Sequence, residues 1–404
     1  MSVVINAGNN CLTSLLKIKL LYPSFQIMLI MLNMKFTKLV VISFFTLSTI
    51  SMQAPAQTFH ANNLEVVAEF GKSQPIGVSV SSTNRLFVSF PKREPYVFGL
   101  TEIVEGKRVA YPNKEWNRKN GQEENTFVNV QDIYIDTKDQ LWVLDSKPSS
   151  KNSVFGKSGS NEANIGKFKL IQIDLLSNQV KQIYQFEDLA KDKSGLNDVR
   201  VDTERQLAYL SDPGQAAIVV LDLRTGKTRL ALQNQPMTLA VPNFSLSYEG
   251  HEMADKEGNI FKSNINGVAL TKDNKYFYFR PINGLNLYRI ETKYLADTNL
   301  NDLTLAKFVE NLGETVVCHG MVADASGNIY LTSSTDYSIK YFTPEQQLTT
   351  LIQDKRLIWP DSMGIGSDGY LYVSSAQVNR LPQWNNGVDK TSFPYRVYRV
   401  KIKQ

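Results

Sequence analysis

Cysteine is almost absent from this chain. Of its two cysteines, Cys11 lies in the N-terminal leader and Cys318 stands alone in the rest. No internal disulfide and no thiolate zinc site can therefore form in the body of the protein. Histidine is scarce as well, with only His60, His251 and His319. The first 56 residues contain no acid, but they hold Lys17, Lys19, Lys35 and Lys38. Most of the formal net charge of +5 sits there, because the remaining 40 basic and 39 acidic residues nearly cancel. A nucleic-acid partner requires a basic face on the folded domain, and this balance gives none. Long amphipathic helical patterns are missing. So are a Gly-x-Ser-x-Gly nucleophile elbow and a phosphate loop. Gly364-Ile365-Gly366 belongs to a strand pattern with no helix behind it, so it is no dinucleotide signature.

What is present describes an exported β-protein. The 404 residues are 42% hydrophobic and 21% charged, as in globular chains with ample material for a core. Residues 34–56 read as a signal peptide. Lys35 and Lys38 form a basic start, Leu39 to Ile50 an apolar run, and Ala54-Pro55-Ala56 a small-x-small cleavage site. The run is short for a membrane span. Cleavage is expected after Ala56, giving a secreted or periplasmic protein with no membrane anchor. Residues 1–33 read as an over-extended start or a longer leader, since Met34 looks like a natural beginning.

Residues 57–404 repeat one pattern six times: an alternating strand, a tight polar turn, and a second apolar strand. The first strands are Ile76 to Val80, Gln131 to Ile135, Asn197 to Val201, Asn266 to Leu270, His319 to Ala323 and Asp361 to Ile365. The second strands include Arg85 to Ser89, Gln140 to Leu144 and Tyr370 to Ser374. Period-two alternation and aromatic or β-branched residues indicate strands. Turns such as Ser367-Asp368-Gly369 suit hairpins. Repeats of this size, with room for four strands each, predict an all-β six-bladed propeller. A strand at Leu64 to Phe70 is expected to pair with Tyr395 to Ile402 and close the ring. A parallel α/β fold is disfavoured because crossover helices are missing.

Inner strands of a propeller converge on one channel. Their first residues here are Ile76, Gln131, Asn197, Asn266, His319 and Asp361, five of them polar or ionisable. Gln131, Asn197, Asn266, His319 and Asp361 are therefore the expected ligand-binding ring at the channel mouth. The structural alternative is that such residues bond turns and neighbouring backbone. At its ordinary pKa His319 could act as acid, base or ligand. His251, in Glu249-Gly250-His251-Glu252, lacks the spacing of a helical zinc motif.

Several stretches, in order, resemble the major royal jelly protein and Yellow family. They include Gln74-Pro75-Ile76-Gly77-Val78, Ala110-Tyr111-Pro112-Asn113-Lys114-Glu115-Trp116-Asn117, Leu196-Asn197-Asp198-Val199-Arg200-Val201-Asp202 and Asn379-Arg380-Leu381. The resemblance implies a secreted six-bladed propeller, and on this reading it binds a small, aromatic or amine-like ligand; a monomer is expected. It fixes no catalytic residue. The chain is more distantly similar to the gluconolactonase and regucalcin family, which would make it a metal-dependent lactonase or esterase. Asn197 and Asn266 match the two asparagines of that family's cation site. Ile76 and His319 stand where its carboxylates should be. No cofactor is expected on the first reading. On the second, a divalent cation would sit among Asn197, Asn266, His319 and Asp361. A scaffold that uses the propeller faces for protein partners is a third reading.

Overall fold

Each of the six repeats folds into a four-stranded antiparallel sheet, and the sheets stand as blades around one axis. The computed structural model describes residues 60–119, 124–146 and 168–402. The expected leader and signal peptide lie outside the described residues. From the axis outward, blade one contains Val78–Val80, Leu86–Ser89, Leu100–Val104 and Lys107–Ala110. Blade two contains Val130–Ile135, Gln140–Asp145, Lys169–Asp174 and Gln179–Tyr184. Blade three contains Val199–Asp202, Leu207–Asp212, Ala217–Asp222 and Thr228–Ala231. Blade four contains Ile265–Leu270, Tyr276–Pro281, Asn286–Glu291 and Glu310–Glu314. Blade five contains Met321–Ala323, Ile329–Ser333, Ser338–Phe342 and Leu348–Gln353. Blade six contains Pro360–Ile365, Tyr370–Ser375 and Arg396–Lys401, with Glu65–Glu69 outermost.

The turns between first and second strands explain themselves chemically. In blade two the Asp136 carboxylate accepts from the backbone N–H of Lys138 (2.8 Å) and Gln140 (3.0 Å). Asp324 does the same for Ser326 and Asn328, and Gly327 takes the left-handed position at φ 84°. A carboxylate that bonds its own turn two to four residues on favours the reversal over a continued strand.

The core is distributed between the blades. Each neighbouring pair of blades shares one buried apolar layer. Between blades two and three it is Trp142, Leu144 and Leu170 against Val199, Leu210 and Val219. Between six and one it is Phe70, Tyr372 and Val397 against Val78, Leu86 and Val88. A seventh cluster lies elsewhere. Leu246, Tyr248, Met253 and Phe261 join Ile76, Ile282, Trp359, Val378 and the partly buried Trp384. Leu246, Tyr248, Met253 and Phe261 come from the connection between blades three and four, and Val378 and Trp384 from the stretch after the second strand of blade six, while Ile76, Ile282 and Trp359 flank strands of blades one, four and six. Together they form an apolar cap.

The inner strands close a full ring around the axis. Ile135 N–H donates to Ser79 Oγ (3.0 Å) and Val199 N–H to Asp132 Oδ2 (3.0 Å), joining blades one, two and three. Asp198 accepts from Val268 N–H, joining three to four. A Cβ on Gly267 would lie 2.8 Å from His319 O, and one on Gly320 would lie 2.0 Å from Asp361 O. Glycine is required at Gly320, because backbone already fills that space. Gly364 closes six against one, with Ser79 Cα 3.1 Å from where its Cβ would be. The terminal strand pairs as the sequence predicts: Glu65 lies opposite Arg399 and Glu69 opposite Arg396, each as an ion pair (2.7 and 2.8 Å). Edge backbone that would otherwise be free is consumed in this way. No helix among the described residues is long and apolar enough to cross a membrane.

Candidate ligand site at the channel mouth

Antiparallel pairing puts the start of each inner strand beside the end of its second strand, as in Val130 with Asp145, Ile265 with Pro281 and Pro360 with Ser375. These ends define one face, the mouth. The five predicted residues all lie there, and the structure engages them unequally. Gln131 Nε2 donates to Asn197 Oδ1 (3.1 Å), and Asn197 Nδ2 donates to Asp198 Oδ1 (2.8 Å). The two carboxamides thus lean on each other. Asn266 is buried, yet its carboxamide has no hydrogen-bond partner among the described residues.

His319 is 3% exposed and lies flat against Trp359, with ring centroids 3.8 Å apart and planes 19° from parallel. Its Nε2 bonds Ser334 Oγ (2.8 Å), which also bonds Tyr248 Oη (2.8 Å). Its Nδ1 is buried without a hydrogen-bond partner among the described residues. Burial, assisted by the Arg280 charge, pulls the imidazole down to about 3. His319 is therefore neutral at physiological pH, which removes the acid role the sequence left open. An orphaned acceptor costs less than an orphaned N–H. That assigns the proton to Nε2 and leaves a lone pair on Nδ1.

Asp361 is the sixth ring position. Trp359 Nε1 donates to its Oδ2 (3.2 Å). It keeps some water-accessible surface but is enclosed by protein, as a group lining a narrow channel must be. Burial raises its carboxyl to about 7. The Trp359 bond and the Arg93 charge work in the opposite direction, and the Asp132 charge adds to the rise. Asp361 also connects two inferred site residues, since its indole partner is the ring on which His319 rests.

The ring positions omit two carboxylates that the structure adds. Asp132 and Asp198 occupy the second position of their repeats, where the other blades carry Gly77, Gly267, Gly320 and Ser362. Asp132 is buried and paired with Arg200 (3.0 Å), whose guanidinium also donates to Met321 O of blade five (3.0 Å). Arg200 thereby bridges blades three and five across the channel. Burial holds the Asp132 carboxyl above its ordinary range. Asp198 is raised well above its ordinary value, by burial first and then by the Asp132 charge, while Arg200 pulls it back. Asp361 pushes Asp198 further in the same direction. Three carboxyls so placed resist being ionised together. The sequence did signal this, as Asp at a register that otherwise carries Gly or Ser.

Arg280 and Asn283, also near the mouth, are structural. Arg280 is fully buried and donates to Thr315 Oγ1 and Gly284 O, both at 2.7 Å. Asn283 bonds the cap backbone at Phe244 and Phe261 (both 3.0 Å). His251 is exposed, in the short hairpin of Ser247–Tyr248 with His251–Glu252.

The residues assigned to the cation alternative share the mouth, and several of their polar atoms are already bonded within the protein. Asn197 is spent on Gln131 and Asp198, His319 Nε2 on Ser334, and Asp361 on Trp359. Among the described residues, no group of three or more His, Cys, Asp or Glu side chains is placed to hold a metal ion.

The comparison with known proteins decides the family. The major royal jelly protein profile matches residues 128–404, more than half of the chain. The chain belongs to the major royal jelly protein family. It is 26% identical over 220 residues to major royal jelly protein 5 of Apis mellifera, which covers 51% of this chain. The matched region spans only 34% of that relative's length. Among solved structures it resembles a gluconolactonase of Xanthomonas campestris (10% identity, 84% of this chain, 88% of that one, TM-score 0.49). It also resembles regucalcin, a calcium-binding protein of Agrobacterium tumefaciens (13% identity, 85% and 94%, TM-score 0.48). Those likenesses concern the fold alone. The family assignment agrees with the resemblance read from the sequence.

Proposed function

We propose that this family member is an exported binding propeller that captures a small organic cation, an aromatic amine, at its channel mouth. One observation carries the reading. A carboxylate (Asp361) bonded to the Trp359 indole and a buried acceptor with no partner among the described residues (His319 Nδ1), on the ring stacked against that same indole, lie at one mouth. A protonated amine offers what each lacks, charge for Asp361 and N–H donors for His319 Nδ1, and its ring adds apolar area beside the cap. Asn266 brings an uncommitted carboxamide to the same mouth. The Arg93 charge near Asp361 opposes the cation and favours a ligand that reaches the carboxylate from the Trp359 side.

The apolar cap lies over this site. Glu249, at the hairpin tip, accepts from Tyr337 Oη (2.9 Å) and Arg380 (3.3 Å). Entry requires these contacts to part, so the hairpin acts as a latch.

Calorimetric titration with tryptamine, tyramine and their neutral isosteres tests the proposal. The amines are expected to bind at least tenfold tighter than the isosteres, and Asp361→Asn to erase that preference. Equal affinity for amines and neutral isosteres would overturn it.

A further inference from the structure

The opposite face of the propeller carries a separate cavity of about 270 Å³ between blades two and three. Trp142, Tyr184, Val201 and Leu223 make its apolar walls, and Lys138, Gln172 and Gln206 stand around its polar side. It shares no residue with the mouth site.

Most polar groups in this cavity are already committed. Asp136 accepts from Trp142 Nε1 (2.8 Å) and from two turn N–H groups. Tyr184 Oη donates to Leu223 O (3.0 Å), and Gln140 Nε2 donates to Asp174 (3.0 Å). Among the described residues, three groups remain. Gln172 donates through Nε2 to Gln140 (3.3 Å), which leaves its Oε1 free. Gln206 donates through Nε2 to Thr203 O (2.6 Å), leaving its Oε1 free too. The Lys138 ammonium has no ion pair among the described residues. Two carbonyl acceptors and one donor therefore surround a small void with part-apolar walls.

A group that must both donate and accept from neighbouring atoms is a hydroxyl, and a ring of vicinal hydroxyls with apolar C–H faces is a sugar. The volume lies at the low end for ligand sites, enough for one ring and too small for a chain of them. A single cation with no helix N-terminus beside it is poor recognition for a phosphate. We propose that this cavity is a second binding site, for one hexose-sized sugar residue, and that it works independently of the mouth.

Saturation-transfer NMR and calorimetry with glucose, galactose, mannose, N-acetylglucosamine and glucuronate test it. At least one sugar should bind saturably. Gln172→Ala and Gln206→Ala should each weaken it five-fold or more, while the melting temperature stays within a degree or two and tryptamine affinity is unchanged. Asp361→Asn should leave sugar binding intact. A stronger response to glucuronate than to glucose assigns the Lys138 ammonium to a carboxylate, and equal responses assign it to hydroxyls; both support the site. No saturable binding by any sugar up to its solubility limit overturns the proposal, as does binding that survives both glutamine variants.

Discussion

Replacing Asp361 by asparagine separates two consequences of one buried carboxyl. Burial moves that group from its ordinary value of 3.8 to about 7. Such a displacement is worth ~4 kcal/mol in favour of the protonated form. The sign follows from proton counting: between pH 4 and 7 the folded protein keeps a proton that the unfolded chain has released. Stability from this group is therefore complete below pH 4 and is lost as pH rises through 7. The water-accessible part of Asp361 relieves some of the penalty, so about 2 kcal/mol is the expected loss at pH 8. Asparagine mimics the protonated acid, and its carbonyl oxygen can still accept from Trp359 Nε1. The variant should be about 2 kcal/mol more stable than the wild type at pH 8 and nearly equal to it at pH 4.5. Urea unfolding of both proteins at the two pH values measures this difference. A variant whose stability relative to wild type does not change with pH would refute the reasoning.

Other consequences are as specific. Gly320→Ala forces a Cβ to within 2.0 Å of Asp361 O and should cost ~3 kcal/mol or more in urea unfolding; a neutral result would mean the ring is looser than described. Deleting residues 57–70 removes Leu64 and Phe70 from the core together with the outermost strand of blade six. It should cost about 3–6 kcal/mol from those two side chains alone, and a truncated protein with an unchanged melting curve would contradict ring closure. Glu249→Gln should speed both association and release of an amine in stopped-flow measurements while changing Kd little, whereas unchanged rates would remove the latch. Amine affinity should rise between pH 5 and 7, by up to about tenfold per pH unit, because the ligand competes with the raised Asp361 proton; a flat profile in calorimetry would argue against that carboxylate as the partner.

Most of the fold was legible in the sequence because a blade is a local pattern. Gln131 to Ile135 alternates, Asp136 turns, and Gln140 to Leu144 returns, and the structure builds those elements within a residue or so. The ring residues were legible as a register, and the structure places them at one mouth. Their chemistry was not legible. The depressed basicity of His319 depends on Trp359, Arg280 and a cap built from residues 244–261 and 376–384, which are distant in sequence and follow no period. Asp132 and Asp198 stood in the repeat at positions that elsewhere carry Gly or Ser. Their effect arises only when blades two, three and six surround one axis. Arg200 reads as an ordinary polar residue of an alternating strand, yet it spans the channel to Met321 O.

The most direct measurement is a crystal structure of the protein grown with saturating tryptamine. The account places the ammonium within hydrogen-bond distance of Asp361, with His319 Nδ1 as a second acceptor and the indole against the Trp359 side of the mouth. Tryptamine bound elsewhere on the propeller, or a mouth left unchanged at a concentration that saturates binding in solution, would contradict it.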